Sequence, residues 1–196
     1  SRTGRAGARR GDLYPKVGQM DKAIADFDAY IEREPEAEPY HWRRGIAFYY
    51  AGLYKRGVEQ FESHKNVNGS DVENSVWHFL CNARLHDPAK AKAALIPLEG
   101  EDRRVPMMKV FDLFAGKATA DDVLKDAKER AGETRQSEAA LFYAHLYIAL
   151  HHEAHGRTDA ARNHMRLAAK EHTSPYYMGD VARVHVKVRG WEKTDE

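Results

Sequence analysis

Residues 43–69 read RRGIAFYYAGLYKRGVEQFESHKNVNG, and this stretch decides the fold because it repeats an earlier one. Residues 9–35 read RRGDLYPKVGQMDKAIADFDAYIEREP, in register with it at an offset of 34. The matched residues are two glycines and one aromatic in each copy: Gly11, Gly18 and Phe27 in the first, Gly45, Gly52 and Phe61 in the second. A fixed period of this length indicates a repeated supersecondary unit.

Each copy has the features of a helix–turn–helix unit. Its first glycine allows two helices to approach closely, its second glycine ends the first helix, and its aromatic residue anchors the second helix. Apolar residues recur at helical spacing in both second helices. They are Ala23, Ile24, Phe27 and Ile31 in one copy, and Tyr54, Val58 and Phe61 in the other. Pro35 ends the first unit, because proline cannot continue a helix.

This period and pattern resemble the tetratricopeptide repeat (TPR) family, and we expect a bacterial member. The matching residues are Gly11, Tyr14, Gly18, Ala23, Phe27 and Pro35, then Gly45, Phe48, Gly52, Tyr54 and Phe61. Gly57 stands where the family usually has alanine. The resemblance implies an all-α superhelix of stacked helix pairs, an architecture whose shared property is a scaffold for binding.

We expect one TPR-like domain over residues 1–196 with about five helix–turn–helix units. Their bounds are about 4–36, 38–70, 73–99, 105–132 and 137–172. The third and fourth units diverge from the family pattern, and Pro88 and Pro97 shorten their helices. Thr119 followed three residues later by Asp122 predicts a helix start at that point.

The C-terminal segment after Thr173 supports two interpretations. Val184, Val186 and Val188 alternate with polar residues as in a strand, whereas Val181, Val184 and Val188 share one face of a helix. A stacked array needs a terminal element with a polar outer side. We therefore favour a capping helix over residues 178–191.

The resemblance also implies which side chains face the inner, concave surface, where family members hold peptides. We expect partner-binding residues at eight positions: Asp12, Lys16, Trp42, Ile46, Tyr49, Tyr50, His78 and Asn82. Trp and Tyr are enriched at interaction hot spots. Alternatively, a loop or the C-terminal tail fills the groove and makes the aromatic residues core. His78 and Asn82 either contact a partner or satisfy a buried neighbour.

The stretch LHHEAHG is the strongest candidate for chemistry. His151 and His155 are four residues apart and share a helix face, which is a usable metal-ligand spacing. The string resembles the zinc-protease motif H-E-x-x-H but is one residue short, and Glu153 points away from that face. Histidines near a helix C-terminus also interact favourably with the helix dipole. The structural interpretation is therefore preferred, and no metal is predicted.

Composition argues against several classes of function. The net charge is +1, so no global field favours nucleic acid. A single cysteine, Cys81, excludes an internal disulfide and a cysteine-based zinc site. No apolar run is long enough to span a bilayer. No phosphate-binding loop or nucleophile elbow occurs, so we expect neither an enzyme nor a bound cofactor.

The sequence therefore predicts a non-enzymatic adaptor that binds a peptide or helical segment in a concave groove. The partner is a protein, with self-association as one variant. The alternative is a small-molecule or metal-dependent activity near His145, His151, His152 and His155. We expect a soluble protein, in the cytoplasm or the bacterial cell envelope, and the sequence leaves the compartment open.

Overall fold

The computed structural model describes residues 20–131 and 135–192, and every regular element in these ranges is helical. No strand occurs in this part of the chain, so the all-α prediction is confirmed for it. The chain forms two compact units, with the boundary between Gly100 and Glu101. The first helix of the first predicted repeat falls in residues 4–18, outside the described residues.

Unit 1 is built from consecutive helices joined by short turns. Its described part contains α1 (Met20–Arg33), α2 (Trp42–Tyr50), α3 (Tyr54–His64), α4 (Val72–Leu85) and α5 (Pro88–Ala93). A six-residue 3-10 helix, Pro35–Tyr40, connects α1 to α2. These bounds follow the helix pairs that the 34-residue period predicts; the assignment of the pairs as TPR units stays a prediction.

The α2–α3 hairpin depends on two glycines with different tasks. Gly52 in the turn has φ 75°, a conformation that glycine adopts without the steric cost met by other residues. Gly45 lies where α2 crosses α3, because a Cβ atom there would be 2.6 Å from Cζ of Phe61. The close packing that the repeat pattern predicts for this glycine and this aromatic ring is therefore present.

Helix α4 is the central helix of unit 1, and it contacts α2, α3 and α5. Its N-cap is Asp71, whose carboxylate accepts a hydrogen bond from the Glu73 amide at 3.1 Å. All residues from 74 to 82 are buried, including Cys81. A Cβ atom on Gly57 of α3 would lie 2.6 Å from Sγ of Cys81, so this second glycine brings α3 and α4 together.

Ion pairs around Asp28 hold α2 and α3 against α1. Asp28 of α1 accepts hydrogen bonds from Arg44 at 2.8 Å and from Arg56 at 3.0 Å. Both guanidinium groups lie over the ring of Phe48, at 4.9 and 4.2 Å from its centroid. One carboxylate therefore ties three successive helices together around a buried aromatic ring.

Unit 2 contains a second series of helices. Its described part has α6 (Met107–Phe114), α7 (Ala120–Ala131), α8 (Arg135–Ala154), α9 (Thr158–Arg166) and α10 (Tyr177–Val188). A π-helical segment, Leu167–Glu171, continues directly from α9. Turn glycines with positive φ follow α6, α8 and α10, and they are Gly116, Gly156 and Gly190.

Two sequence features explain how unit 2 is arranged. Thr119 and Asp122 form the predicted helix start through two reciprocal hydrogen bonds. The Asp122 carboxylate accepts a hydrogen bond from the Thr119 amide at 2.8 Å, and the Thr119 hydroxyl accepts one from the Asp122 amide at 3.2 Å. Helix α8 is apolar on several sides, and all residues from 144 to 150 are buried. It accordingly contacts α6, α7 and α9.

The C-terminal segment is helical, so the strand interpretation of its valine alternation was wrong. Val181, Val184 and His185 of α10 are buried. Burial of this face stabilises the helix more than the strand preference of valine opposes it. Glu153 of α8 accepts from Arg189, which follows α10, and its second oxygen is 3.4 Å from His185. The role of α10 as a cap stays a prediction.

Candidate functional site

Helix α2 carries four of the predicted partner-binding residues, and the structure separates them into two groups. Ile46 and Tyr49 are only 2% and 3% exposed. Trp42 at the start of the helix and Tyr50 at its end are half-buried. The middle of the predicted patch is therefore covered, while its two ends keep accessible surface.

The covering element is α4, rather than the loop or C-terminal tail expected in the core alternative. The ring of Trp77 lies edge-on to Tyr49 at a centroid distance of 5.4 Å and contacts Tyr50 at 6.2 Å. Tyr49 also contacts the ring of Tyr54, and its hydroxyl accepts from Arg84 at 3.4 Å. Tyr49 is thus a core residue of the α2–α4 contact.

A third accessible aromatic residue precedes α2. Tyr40 is 65% exposed at the end of the 3-10 helix. The next residue, His41, turns inward and contacts the rings of Phe27 and Tyr30 at 5.6 and 5.0 Å. Because His41 is anchored on α1, the positions of Tyr40 and Trp42 are set by a fixed turn. We call Tyr40, Trp42 and Tyr50 the aromatic edge.

His78 and Asn82 lie on α4 and form contacts within unit 1. Asn82 donates to the carbonyl of His78 at 3.1 Å, and the Asn82 amide is also 3.3 Å from the His78 ring. His78 is 3.5 Å from the Glu62 carboxylate on α3. Burial lowers the pKa of His78, and the Glu62 hydrogen bond partly opposes this shift. Of the two interpretations, the structure shows the polar contacts of a buried pair.

The remaining two predicted binding residues, Asp12 and Lys16, lie outside the described residues. Their role in binding stays a prediction.

Unit 2 brings together histidines from α8, α9 and the segment after the π helix. His145 and His164 face each other with their Nδ1 atoms 2.8 Å apart. The ring of His172 stacks on His145 at 5.2 Å with an interplanar angle of 4°. His152 lies 5.7 Å from His164, measured between ring centroids. We call these four residues the histidine cluster.

Three histidines of the cluster, His145, His152 and His164, are poor proton acceptors in the folded state. Burial, reinforced by His164, His172 and Lys128, lowers the pKa of His145 to about 4. Burial also lowers the pKa of His164, with Asp121 opposing the shift. For His152, burial and then Arg157 lower the pKa. These imidazoles are therefore neutral near pH 7.

The predicted metal-spacing pair has a different environment. His155 bonds through Nδ1 to the carbonyl of His151 at 2.8 Å, and His151 lies edge-on to Phe114 at 5.1 Å. Burial, followed by the charges of His155 and Arg157, lowers the pKa of His151 to about 3. Across residues 20–131 and 135–192, no group of three or more His, Cys, Asp or Glu side chains is arranged to hold a metal ion.

Two further findings concern membrane-spanning helices and family models. Among the described residues, no helix is both long and apolar enough to cross a membrane. A search of protein-family models found none that matches this chain.

Sequence reasoning missed Tyr40, Trp77, His164 and His172. Trp77 covers the predicted patch because α4 packs on α2, and only the packing of two helices reveals that contact. His164 could have been found, since it lies across the Gly156 turn from His145, and the antiparallel helices of a hairpin bring such residues together. His172 could not, because it follows a π-helical segment that changes the helical register.

Proposed function

We propose that this chain is a non-enzymatic, TPR-like scaffold that binds a peptide or helical segment of a partner protein at the aromatic edge. The single observation that carries this proposal is the accessible aromatic surface at both ends of α2, on a helix whose other sides are packed. Aromatic side chains on rigid supports lose little conformational entropy on binding and provide large contact areas.

The geometry of α2 suggests the size of the bound segment. Trp42 and Tyr50 are eight residues apart, which corresponds to about 12 Å along a helix axis. An extended peptide covers this distance with about four residues. Tyr40 extends the surface beyond Trp42. A short segment with two apolar anchors at i and about i+4 therefore fits the aromatic edge.

The rigidity of α2 supports the same conclusion. Tyr49 packs on Trp77 on one side, and Arg44 and Arg56 hold Phe48 and Asp28 on another. Buried Ile46 and Tyr49 thus act as support for the aromatic edge, rather than as contact residues as first expected. His78 and Asn82 belong to the same supporting layer.

The repeat architecture supports a scaffold rather than a catalyst. Gly45 and Gly57 allow α2, α3 and α4 to approach closely, as stacked helix pairs require. Helix α2 contacts α1, α3 and α4, which is the pattern expected for the first helix of an internal TPR unit. We extend this proposal to the remaining units on the basis of the 34-residue period.

The proposal predicts that partner capture depends on Tyr40 and Trp42. Proteins retained from native lysate by the wild-type chain would be identified by mass spectrometry. A synthetic segment of the captured protein would then be titrated into the purified chain. The variant Tyr40→Ala/Trp42→Ala should weaken binding by at least tenfold, since loss of hot-spot aromatics costs about 2 kcal/mol or more.

The matched control is Tyr176→Ala, which removes a tyrosine that is 74% exposed in unit 2. It should bind the segment as the wild type does, and both variants should keep the wild-type circular dichroism and melting temperature. Equal binding by all three proteins contradicts the proposal. Light scattering of the wild type and of Tyr40→Ala/Trp42→Ala distinguishes self-association from binding of a different protein. A wild-type dimer that is absent in the variant identifies the partner as a second copy of the chain.

A further inference from the structure

The contact between His145 and His164 has room for only one shared proton. With the two Nδ1 atoms 2.8 Å apart, one imidazole donates and the other accepts. Adding a proton to the donor ring at its far nitrogen leaves this hydrogen bond intact. Protonating both rings places two N–H donors against each other with no acceptor between them. A doubly protonated pair must therefore separate.

The groups around this pair do not remove the conflict. Helix α7 supplies Lys128, which opposes protonation of His145, and Asp121, which favours protonation of His164. The stacked ring of His172 adds a further titratable group, and its own hydrogen-bond partner is Glu138, at 3.0 Å.

His152 extends the cluster on the side of the α8–α9 turn. It lies near His164, and Arg157 in the turn adds a fixed positive charge. Phe114 of α6 contacts the neighbouring His151 with an apolar ring. Two carboxylates, Asp121 and Glu138, thus lie near a cluster of four imidazoles that also has two basic side chains beside it, Lys128 and Arg157.

We propose that the histidine cluster is an acid-sensitive lock between α8 and α9, closed when at most one of His145 and His164 is protonated and opened when both are protonated. Opening separates α9 from α8 about the Gly156 turn, where φ is 73°. Unit 2 then loosens at acidic pH, and the backbone hydrogen bonds of α8 and α9 open more often because the two helices have lost their mutual packing. This regulation is separate from the aromatic edge, which lies in unit 1.

The sign of the effect follows from proton linkage. The pKa of His145 is lowered in the folded state from 6.5 to about 4, so the opened state binds more protons between these values. The lock is fully effective above pH 6.5 and weakens as the pH falls through this window. At about pH 5, one such group raises the opening equilibrium on the order of 30-fold relative to about pH 7.5.

Amide hydrogen exchange of the full-length wild-type chain tests the proposal directly. After correction for the intrinsic pH dependence of exchange, residues 138–172 should exchange on the order of tenfold or more faster at about pH 5 than at about pH 7.5. Helix α1, which contains no histidine, should change much less. An NMR titration of the histidine Cε1 protons should place the protonation of His145 well below pH 6.5.

The variant His145→Asn/His164→Asn keeps side-chain amides near the Nδ1 positions but cannot titrate. It should abolish the extra exchange at about pH 5, whereas His86→Asn, an exposed histidine of unit 1, should behave as the wild type does. Unchanged exchange in wild-type residues 138–172, or protonation of His145 near pH 6.5, would overturn the proposal. Both measurements use the wild type, so they decide the question even if the double variant unfolds.

Discussion

At the scale of single residues, Gly45 shows how a position that weakens a helix can stabilise a fold. Glycine costs about 1 kcal/mol relative to alanine inside a helix. At Gly45 the missing side chain leaves space for the Phe61 ring, whose Cζ would be 2.6 Å from a Cβ atom. The loss in helix propensity is offset by the burial of a phenylalanine between two helices.

Gly45→Ala should therefore destabilise unit 1 despite the better helix propensity of alanine. Overpacking costs about 1–3 kcal/mol and the propensity gain is about 1 kcal/mol, so the net loss in the free energy of unfolding is up to about 2 kcal/mol. Urea unfolding followed by tryptophan fluorescence measures it, since Trp42 and Trp77 both lie in unit 1.

The double variant Gly45→Ala/Phe61→Leu provides the control. Leucine is smaller at the contact, so the two substitutions should cost less together than the sum of the single ones, by about 1 kcal/mol. Additive losses would show that the two side chains do not compete for the same space, contrary to the proposed cause.

At the scale of elements, α7 begins at a capping box, which makes its start sensitive to one hydroxyl. The Thr119 hydroxyl accepts a hydrogen bond from the Asp122 amide, and the Asp122 carboxylate accepts one from the Thr119 amide. These hydrogen bonds from Thr119 also lower the pKa of the Asp122 carboxyl.

Thr119→Ala should destabilise unit 2 by about 1 kcal/mol, the usual cost of losing an N-cap side chain. Exchange of the first amides of α7 should accelerate, which NMR can measure residue by residue. Thr158→Ala is the matched control, because Thr158 begins α9 without serving as its cap and should change stability by less than about 0.5 kcal/mol. Equal losses in both variants would contradict the assigned cap.

The helices could largely be predicted from the sequence, because glycine turns, proline stops and apolar spacing are local features. The candidate site could be predicted only in part. Tyr49 has the sequence position of a groove residue, yet Trp77 covers it, and that contact depends on how α4 is rotated against α2. The valines of α10 were ambiguous for the same reason, since burial by neighbouring helices decided between helix and strand.

At the scale of the whole molecule, a long connection with several exposed residues joins α5 to α6. Residues 94–106 contain no regular helix, and Arg103 within them is exposed. Its neighbours are better held, because Asp102 is buried and accepts two hydrogen bonds from the Arg104 guanidinium. The 34-residue period does not mark this boundary between the two units.

Limited trypsin digestion of the native chain should cut first after Arg103, because proteases need an exposed segment that can adopt an extended conformation. Mass spectrometry should then detect the fragments 1–103 and 104–196. Arg103→Gln should slow the first cleavage, whereas Lys65→Gln, at the exposed end of α3, should leave it unchanged. A first cut at Lys65 would refute this assignment.

The burial of Cys81 has a practical consequence for studying how unit 1 opens. It is the only cysteine in the chain, it is fully buried beside Gly57, and burial raises the pKa of its thiol. Thiol reagents react with exposed thiolate, so in the native protein they can label Cys81 only after α3 and α4 separate. The labelling rate of this natural thiol therefore reports the opening rate or equilibrium of unit 1 without any added probe.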